Sequence, residues 1–104
     1  MNESLLSLLG LMRRAGKLSM GFDAAAESIR TGKSCLILTT ADISPKTLKE
    51  LNYKINTQIE VIALNGDALE LQCAIGKAVK IISINDKGFA QKAKLLMEKD
   101  YGEE

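Results

Sequence analysis

Residues 35–45 read Cys-Leu-Ile-Leu-Thr-Thr-Ala-Asp-Ile-Ser-Pro, and this stretch decides the fold class. Its first six residues are a short apolar, β-branched run without helical spacing, which reads as a buried strand. Ser44-Pro45 then starts a helix, with Ser as N-cap and Pro at the first helical position, where its missing N–H costs nothing. Leu48, Leu51 and Ile55 supply the apolar face of that helix. Downstream, residues 59–64 predict a second central strand, and Asn65-Gly66 turns the chain. Asp67 and Glu70 have capping-box spacing for a helix carrying Leu71, Ala74 and Ile75, which Gly76 stops. Val79, Ile81, Ile82 and Ile84 predict a third core strand. Asp86 caps a last helix whose Phe89, Ala93, Leu96 and Met97 face inward.

Upstream, Leu5, Leu8, Leu9 and Met12 recur at helical spacing, with Ser4 as the expected N-cap and Gly16 closing the helix. Leu18-Ser19-Met20 is a short extended piece. A second helix begins near Gly21, runs to Arg30 and ends at Gly32. Alternation of helix and strand over 104 residues predicts one three-layer α/β/α sandwich, residues 1–97, with helices on both faces of the sheet. Residues 98–104 are read as an acidic C-terminal tail.

Charge and residue types exclude much chemistry. The chain has 14 Lys+Arg, 13 Asp+Glu and no His, so a Ser-His or Cys-His nucleophile pair and an imidazole metal ligand are unavailable. Cys35 and Cys73 form no CxxC, supply too few thiolates for a structural zinc site, and are both expected in the core. No apolar run approaches the ~20 residues needed to cross a membrane. The start, Met1-Asn2-Glu3-Ser4, has no basic region of the kind that opens a signal peptide. A cytoplasmic protein without cofactor, metal or membrane contact is expected. Asp42, Asp67 and Asp86 sit at strand ends, where α/β enzymes place catalytic groups, but two of them have capping roles and no base partner exists.

The net charge of +1 conceals an asymmetry. Residues 1–97 hold 13 basic and 9 acidic side chains, a net +4, which the acidic end offsets. Arg13, Arg14 and Lys17 form one basic cluster. Segment 77–94 carries five Lys against Asp86 alone. A basic face in a near-neutral chain is the electrostatic footprint of a nucleic-acid partner, although solvated helix faces read the same way.

Several segments, in order, resemble a known family: Leu8-Leu9-Gly10-Leu11, Arg14-Ala15-Gly16-Lys17-Leu18, Gly21, Ile29-Arg30, Gly32-Lys33, Leu36-Ile37-Leu38, Asp42-Ile43-Ser44-Pro45, Ala74-Ile75-Gly76-Lys77 and Asn85-Asp86-Lys87-Gly88-Phe89-Ala90. The chain is similar to the kink-turn-binding superfamily of large-subunit ribosomal proteins of the seven-Ae and thirty-e type, nearest its small bacterial YlxQ-type branch. That resemblance implies a mixed four-stranded sheet and a monomeric, non-enzymatic RNA-binding protein of the translation apparatus. Its implied partner is structured RNA, ribosomal first, with a ribosomal or other protein as a further partner.

The resemblance also implies a site. Family members enter RNA with the first turn of the second helix, using Gly-x-Asn-Glu-x-x-Lys. This chain reads Gly21-Phe22-Asp23-Ala24-Ala25-Ala26-Glu27. Gly21 is kept, while Asp23, Ala24 and Glu27 replace Asn, Glu and Lys. An ionised Asp only accepts hydrogen bonds, and Glu in place of Lys repels phosphate. The implied RNA surface therefore comprises Arg13, Arg14, Lys17, Gly21, Phe22, Asp23, Glu27 and Lys77, without transfer of the kink-turn target itself. Phe22 reads equally as a base-stacking ring or as a ring packed against the neighbouring helix. The alternative is a protein-binding module of the same superfamily that has lost kink-turn binding and turns Asp23 and Glu27 toward a basic partner. A small α/β enzyme would need a pocket of convergent polar groups.

Overall fold

The computed structural model describes residues 1–55 and 59–102, the last four as helix backbone. Helices and strands alternate in the expected order: α1 (Glu3–Arg14), β1 (Leu18–Met20), α2 (Phe22–Arg30), β2 (Leu36–Thr39), α3 (Pro45–Lys54), β3 (Val61–Ala63), α4 (Ala68–Ile75), β4 (Ile81–Ile84) and α5 (Lys87–Gly102). The four strands form one mixed sheet in the order β1-β4-β2-β3. β4 runs antiparallel to β1 and β2, and β3 is parallel to β2. The two central strands are buried at every position, which is why their sequences run apolar rather than alternating.

Their side chains still divide by parity between two cores. Leu36, Leu38, Ile82 and Ile84 face α1, α4 and α5, packing with Leu5, Leu9, Met12, Leu71, Ile75, Ala93 and Met97. Ile37 and Ile81 face α2 and α3, packing with Ala25, Ile29 and Leu51. The sheet is thus the middle of three layers.

Four local readings change. The strand read from residue 59 to 64 as central contracts to Val61–Ala63 and lies at the sheet edge, where one neighbour leaves Val61 and Ile62 half-buried and Ala63 exposed. Only Leu64, bonded through its N–H to the Thr39 carbonyl at 2.7 Å, is fully enclosed there. The cap of α1 is Asn2 rather than Ser4: the Asn2 carboxamide oxygen accepts from Leu5 N–H at 2.7 Å, so the helix begins before Ser4. In α4, Asp67 caps Glu70 N–H at 2.9 Å, but the Glu70 carboxylate meets the Met1 ammonium at 2.6 Å instead of closing the box. Cys73 is exposed. Leu71 and Ile75 lie four residues apart and share the buried face of α4, whereas Cys73, halfway between them, projects to the opposite side. Cys35 is half-buried against the larger core, as its position before β2 suggested.

The helix α5 continues across residue 98 to Gly102, and Glu103 and Glu104 of the acidic end lie outside the described residues. Ile82 is fully buried at the centre of the sheet. Ile82→Ala is expected to lower unfolding free energy by about 2–5 kcal/mol, as large-to-small core changes do; urea denaturation checks this, and a loss under about 1 kcal/mol would contradict the burial described.

Candidate functional site

Gly21 ends β1 and precedes α2. Its N–H donates to the Ile81 carbonyl at 2.8 Å, which ties the turn to the first residue of β4. Its backbone sits at φ +97°, ψ 167°, a region that essentially only glycine occupies. A Cβ here would meet Val79 Cγ1 at 3.7 Å, an ordinary contact, so backbone conformation rather than crowding requires glycine. The consequence for α2 is an N-terminus with no side-chain cap. The other four helices begin under Asn2, Ser44, Asp67 and Asp86, each accepting a first-turn N–H. The first-turn amides of α2 and its positive dipole end therefore stay open to a ligand, beside the exposed carboxylate of Asp23.

The loop 76–80 flanks that helix end. α4 closes at Gly76 with φ +78°, and the Arg13 guanidinium donates to the Ile75 carbonyl at 2.6 Å. Arg13 lies so close over Gly76 that a Cβ there would come within 2.6 Å of Nη1. From this point the loop carries exposed Lys77, places Val79 against Gly21, and reaches exposed Lys80 before β4. The Lys80 carbonyl accepts from Thr40 N–H at 2.9 Å, which brings the end of β2 alongside. Asp42, just beyond, accepts from Ala68 N–H at 3.1 Å. The neighbouring Thr40 hydroxyl, which makes no hydrogen bond of ordinary geometry among the described residues, the backbone amides of Asp42 and Ala68 and the charge of Lys80 together hold its carboxyl below the usual carboxylate range. All three strand-end aspartates thus have bonds to helix N-termini. The loop thus runs from Gly76 under Arg13, through exposed Lys77, to Val79 against Gly21, and the charge of Lys80 acts on Asp42.

Not every basic residue expected at the site joins it. Lys17 precedes β1, while Gly21 follows it, so four extended steps of about 3.3 Å place them about 13 Å apart. The Lys17 carbonyl accepts from Asn85 N–H at 2.9 Å, at the opposite end of β4. Arg14 lies over α1 beside Gly10 and borders a recess with Cys73 and Ala74. The cluster Arg13, Arg14, Lys17 separates because successive helix residues diverge by about 100° and β1 carries the chain away. Phe22 is half-buried and packs on the α2–α3 core. Glu27 is bound through both oxygens to Arg30, at 3.1 and 2.5 Å. That hydrogen-bonded partner holds the Glu27 carboxyl below its ordinary value, with Lys33 adding to the effect. From the sequence Lys80 and Val79 do not read as site residues: Lys80 counts only among the lysines of 77–94, and Val79 falls in the third core strand, whereas β4 begins at Ile81 and Val79 lies in the loop before it. Their signal was proximity to Lys77 in one short loop before a strand.

Among the described residues, no group of three or more His, Cys, Asp or Glu is placed to hold a metal ion. Among the described residues, too, no helix is long and apolar enough to cross a membrane.

An α/β/α sandwich with an uncapped second helix beside a basic loop defines a recognisable class. Residues 3–94 match the model of the "Ribosomal protein L7Ae/L30e/S12e/Gadd45 family", and the chain belongs to that family. It is 34% identical over 97 residues to "RNA-binding protein YlxQ" of Enterococcus faecium, covering 92% of this chain and 93% of that protein. It is 33% identical over 89 residues to "Large ribosomal subunit protein eL30" of Saccharomyces cerevisiae, covering 83% and 85%. Among solved structures, a protein of unknown function from Bacillus halodurans superposes with a TM-score of 0.82 at 31% identity, over 93% of this chain and 99% of that one.

Gly21→Ala is expected to destabilise the protein by about 1–3 kcal/mol, the cost of a non-glycine residue in this region. Thermal or urea unfolding beside Gly16→Ala, whose φ of +73° lies in open space, separates the two conformations; equal effects would contradict the argument.

Proposed function

We propose that the protein is a monomeric, non-enzymatic, cytoplasmic RNA-binding protein that acts with ribosomal or other structured RNA. The observation that carries this reading is the uncapped N-terminus of α2 beside Arg13, Lys77 and Lys80, in a chain similar to proteins named RNA-binding or ribosomal. Open backbone amides and the helix dipole suit a backbone phosphate. The loop lysines and Arg13 add charge that lowers the cost of bringing RNA close. Shape and phosphate contacts dominate this mode. Asp23, Ala24 and Glu27 lack the donors and the cation of the family motif, so the kink-turn contact of that motif is not carried over. Arg14 and Lys17, placed elsewhere, act at most at the periphery of this footprint.

The protein-binding alternative turns Asp23 and Glu27 toward a basic partner. The Arg30 pairing with Glu27 weighs against it, because that carboxylate is already neutralised on its own helix. The acidic residues of 98–104 are read as an extension of the single domain that offsets its basic body.

Salt-titrated binding to ribosomal RNA fragments tests the reading. Log affinity should fall linearly with log salt, and Lys77→Gln with Lys80→Gln should flatten the slope by about 0.7–0.9 per lost phosphate contact. Binding no tighter than to random RNA near physiological salt would sink the proposal. Glu27→Lys, which removes a negative charge and frees Arg30, should strengthen RNA binding; under the protein-binding alternative it should instead weaken the complex with the basic partner.

A further inference from the structure

The far end of β1 holds a second site. Between the C-terminal half of α2 and the ends of β1 and β4 lies a recess of about 570 Å³, bordered by Lys17, Ser19, Glu27, Ser28, Lys33 and Asn85. Its floor is a hydrogen-bonded cluster. Ser83, fully buried, donates to the Asn85 carboxamide oxygen at 2.7 Å. Because a hydroxyl has one hydrogen, its 2.8 Å contact with Ser34 requires Ser34 to donate. The Asn85 amide then donates to Ser19 at 2.9 Å and to Ser28 at 3.3 Å. Ser19 and Ser28 stand 2.5 Å apart, so one hydroxyl hydrogen lies between them.

Ser19 and Ser28 lie close enough together to share one amide hydrogen of Asn85, so the cluster does not use all of its donors. A hydroxyl hydrogen left over belongs to the Ser19–Ser28 pair, both of whose residues border the recess. Ser28 is only 5% exposed and Ser19 is half-buried, so the pair is largely withdrawn from bulk water. Two exposed ammonium groups, Lys17 and Lys33, stand at the rim. The one carboxylate there, Glu27, is bound to Arg30. An excess donor at the floor and two cations at the rim select an anion.

We propose that this recess binds a phosphate group, independently of the Gly21 site. Lys17, which the chain carries away from Gly21, acquires a role here with Lys33. The phosphate is either a backbone phosphodiester of bound RNA or the monoester of a free nucleotide, and both present the same acceptor oxygens.

Titration of the isotopically labelled full chain with inorganic phosphate, at constant ionic strength set with chloride, tests the site by amide chemical shifts. Saturable shifts are expected at residues 17, 19, 28, 33 and 85, with a dissociation constant of about 1 mM. Ser19→Ala together with Ser28→Ala, which removes both hydroxyl donors of the pair, should weaken them about tenfold, the effect of losing one charge-assisted hydrogen bond. Lys33→Gln, an exposed change that leaves the fold alone, should weaken them about threefold by removing one rim charge. Lys77→Gln should leave them unchanged, so failure here and failure of the RNA reading are told apart. Parallel titrations with a nucleoside monophosphate and a short oligoribonucleotide assign the source: tighter binding of the oligonucleotide at these residues indicates backbone phosphate, and tighter binding of the monophosphate indicates a free nucleotide. The proposal is overturned if chloride alone reproduces the shifts, if no saturation occurs, or if neither the paired Ser19→Ala and Ser28→Ala change nor Lys33→Gln weakens the binding.

Discussion

The pairing of β2 with β4 at the centre of the sheet supports the rest of the molecule. Leu36 to Thr39 lie opposite Ile84 to Ile81 in antiparallel register, and all eight residues are buried. Their parity sends Leu36, Leu38, Ile82 and Ile84 into one core and Ile37 and Ile81 into the other. Burial of these side chains, each contributing about 1.5–3 kcal/mol, holds helices on both faces. The ends of the same two strands position the loops. Ile81 receives the Gly21 amide, Lys80 receives the Thr40 amide, and Ile84 receives the Cys35 amide at 2.8 Å.

The residues of the two candidate sites collect at the two ends of β4 for that reason. One end gathers Gly21, Val79 and Lys80, with Arg13 and Lys77 along the incoming loop. The other gathers Asn85, Ser83 and Ser34, with Lys17 and Lys33 nearby. The polar side chain of Ser83 is tolerated at the buried centre because its hydroxyl is bonded on both sides. Opposed ends of a short strand thus separate basic residues that lie close together in the chain.

Most of the fold was legible in the residues. Apolar runs at 36–39 and 81–84, the Ser44-Pro45 start and the Asp86 cap each express a local preference that the tertiary structure did not need to override. The errors share a cause. Whether Val61 and Ile62 are central or at the edge, and whether Asn2 or Ser4 caps α1, depends on neighbours distant in sequence. The Asn2 amide, for example, also donates to the Leu96 carbonyl at 3.0 Å.

The candidate site divides along the same line. By itself the sequence determined the alternation of helix and strand and the supply of basic groups, because helix and strand preference and side-chain chemistry are local properties; the need for glycine at position 21 follows from the φ of +97° that the fold imposes there. Only the tertiary structure decided which of those groups meet. Arg13 joins Ile75 across 62 residues of sequence, whereas Lys17, four residues from Gly21, stands at the opposite end of their strand. Sheet register and helix packing set those distances, and both arise from burial shared among segments that no single stretch of sequence contains.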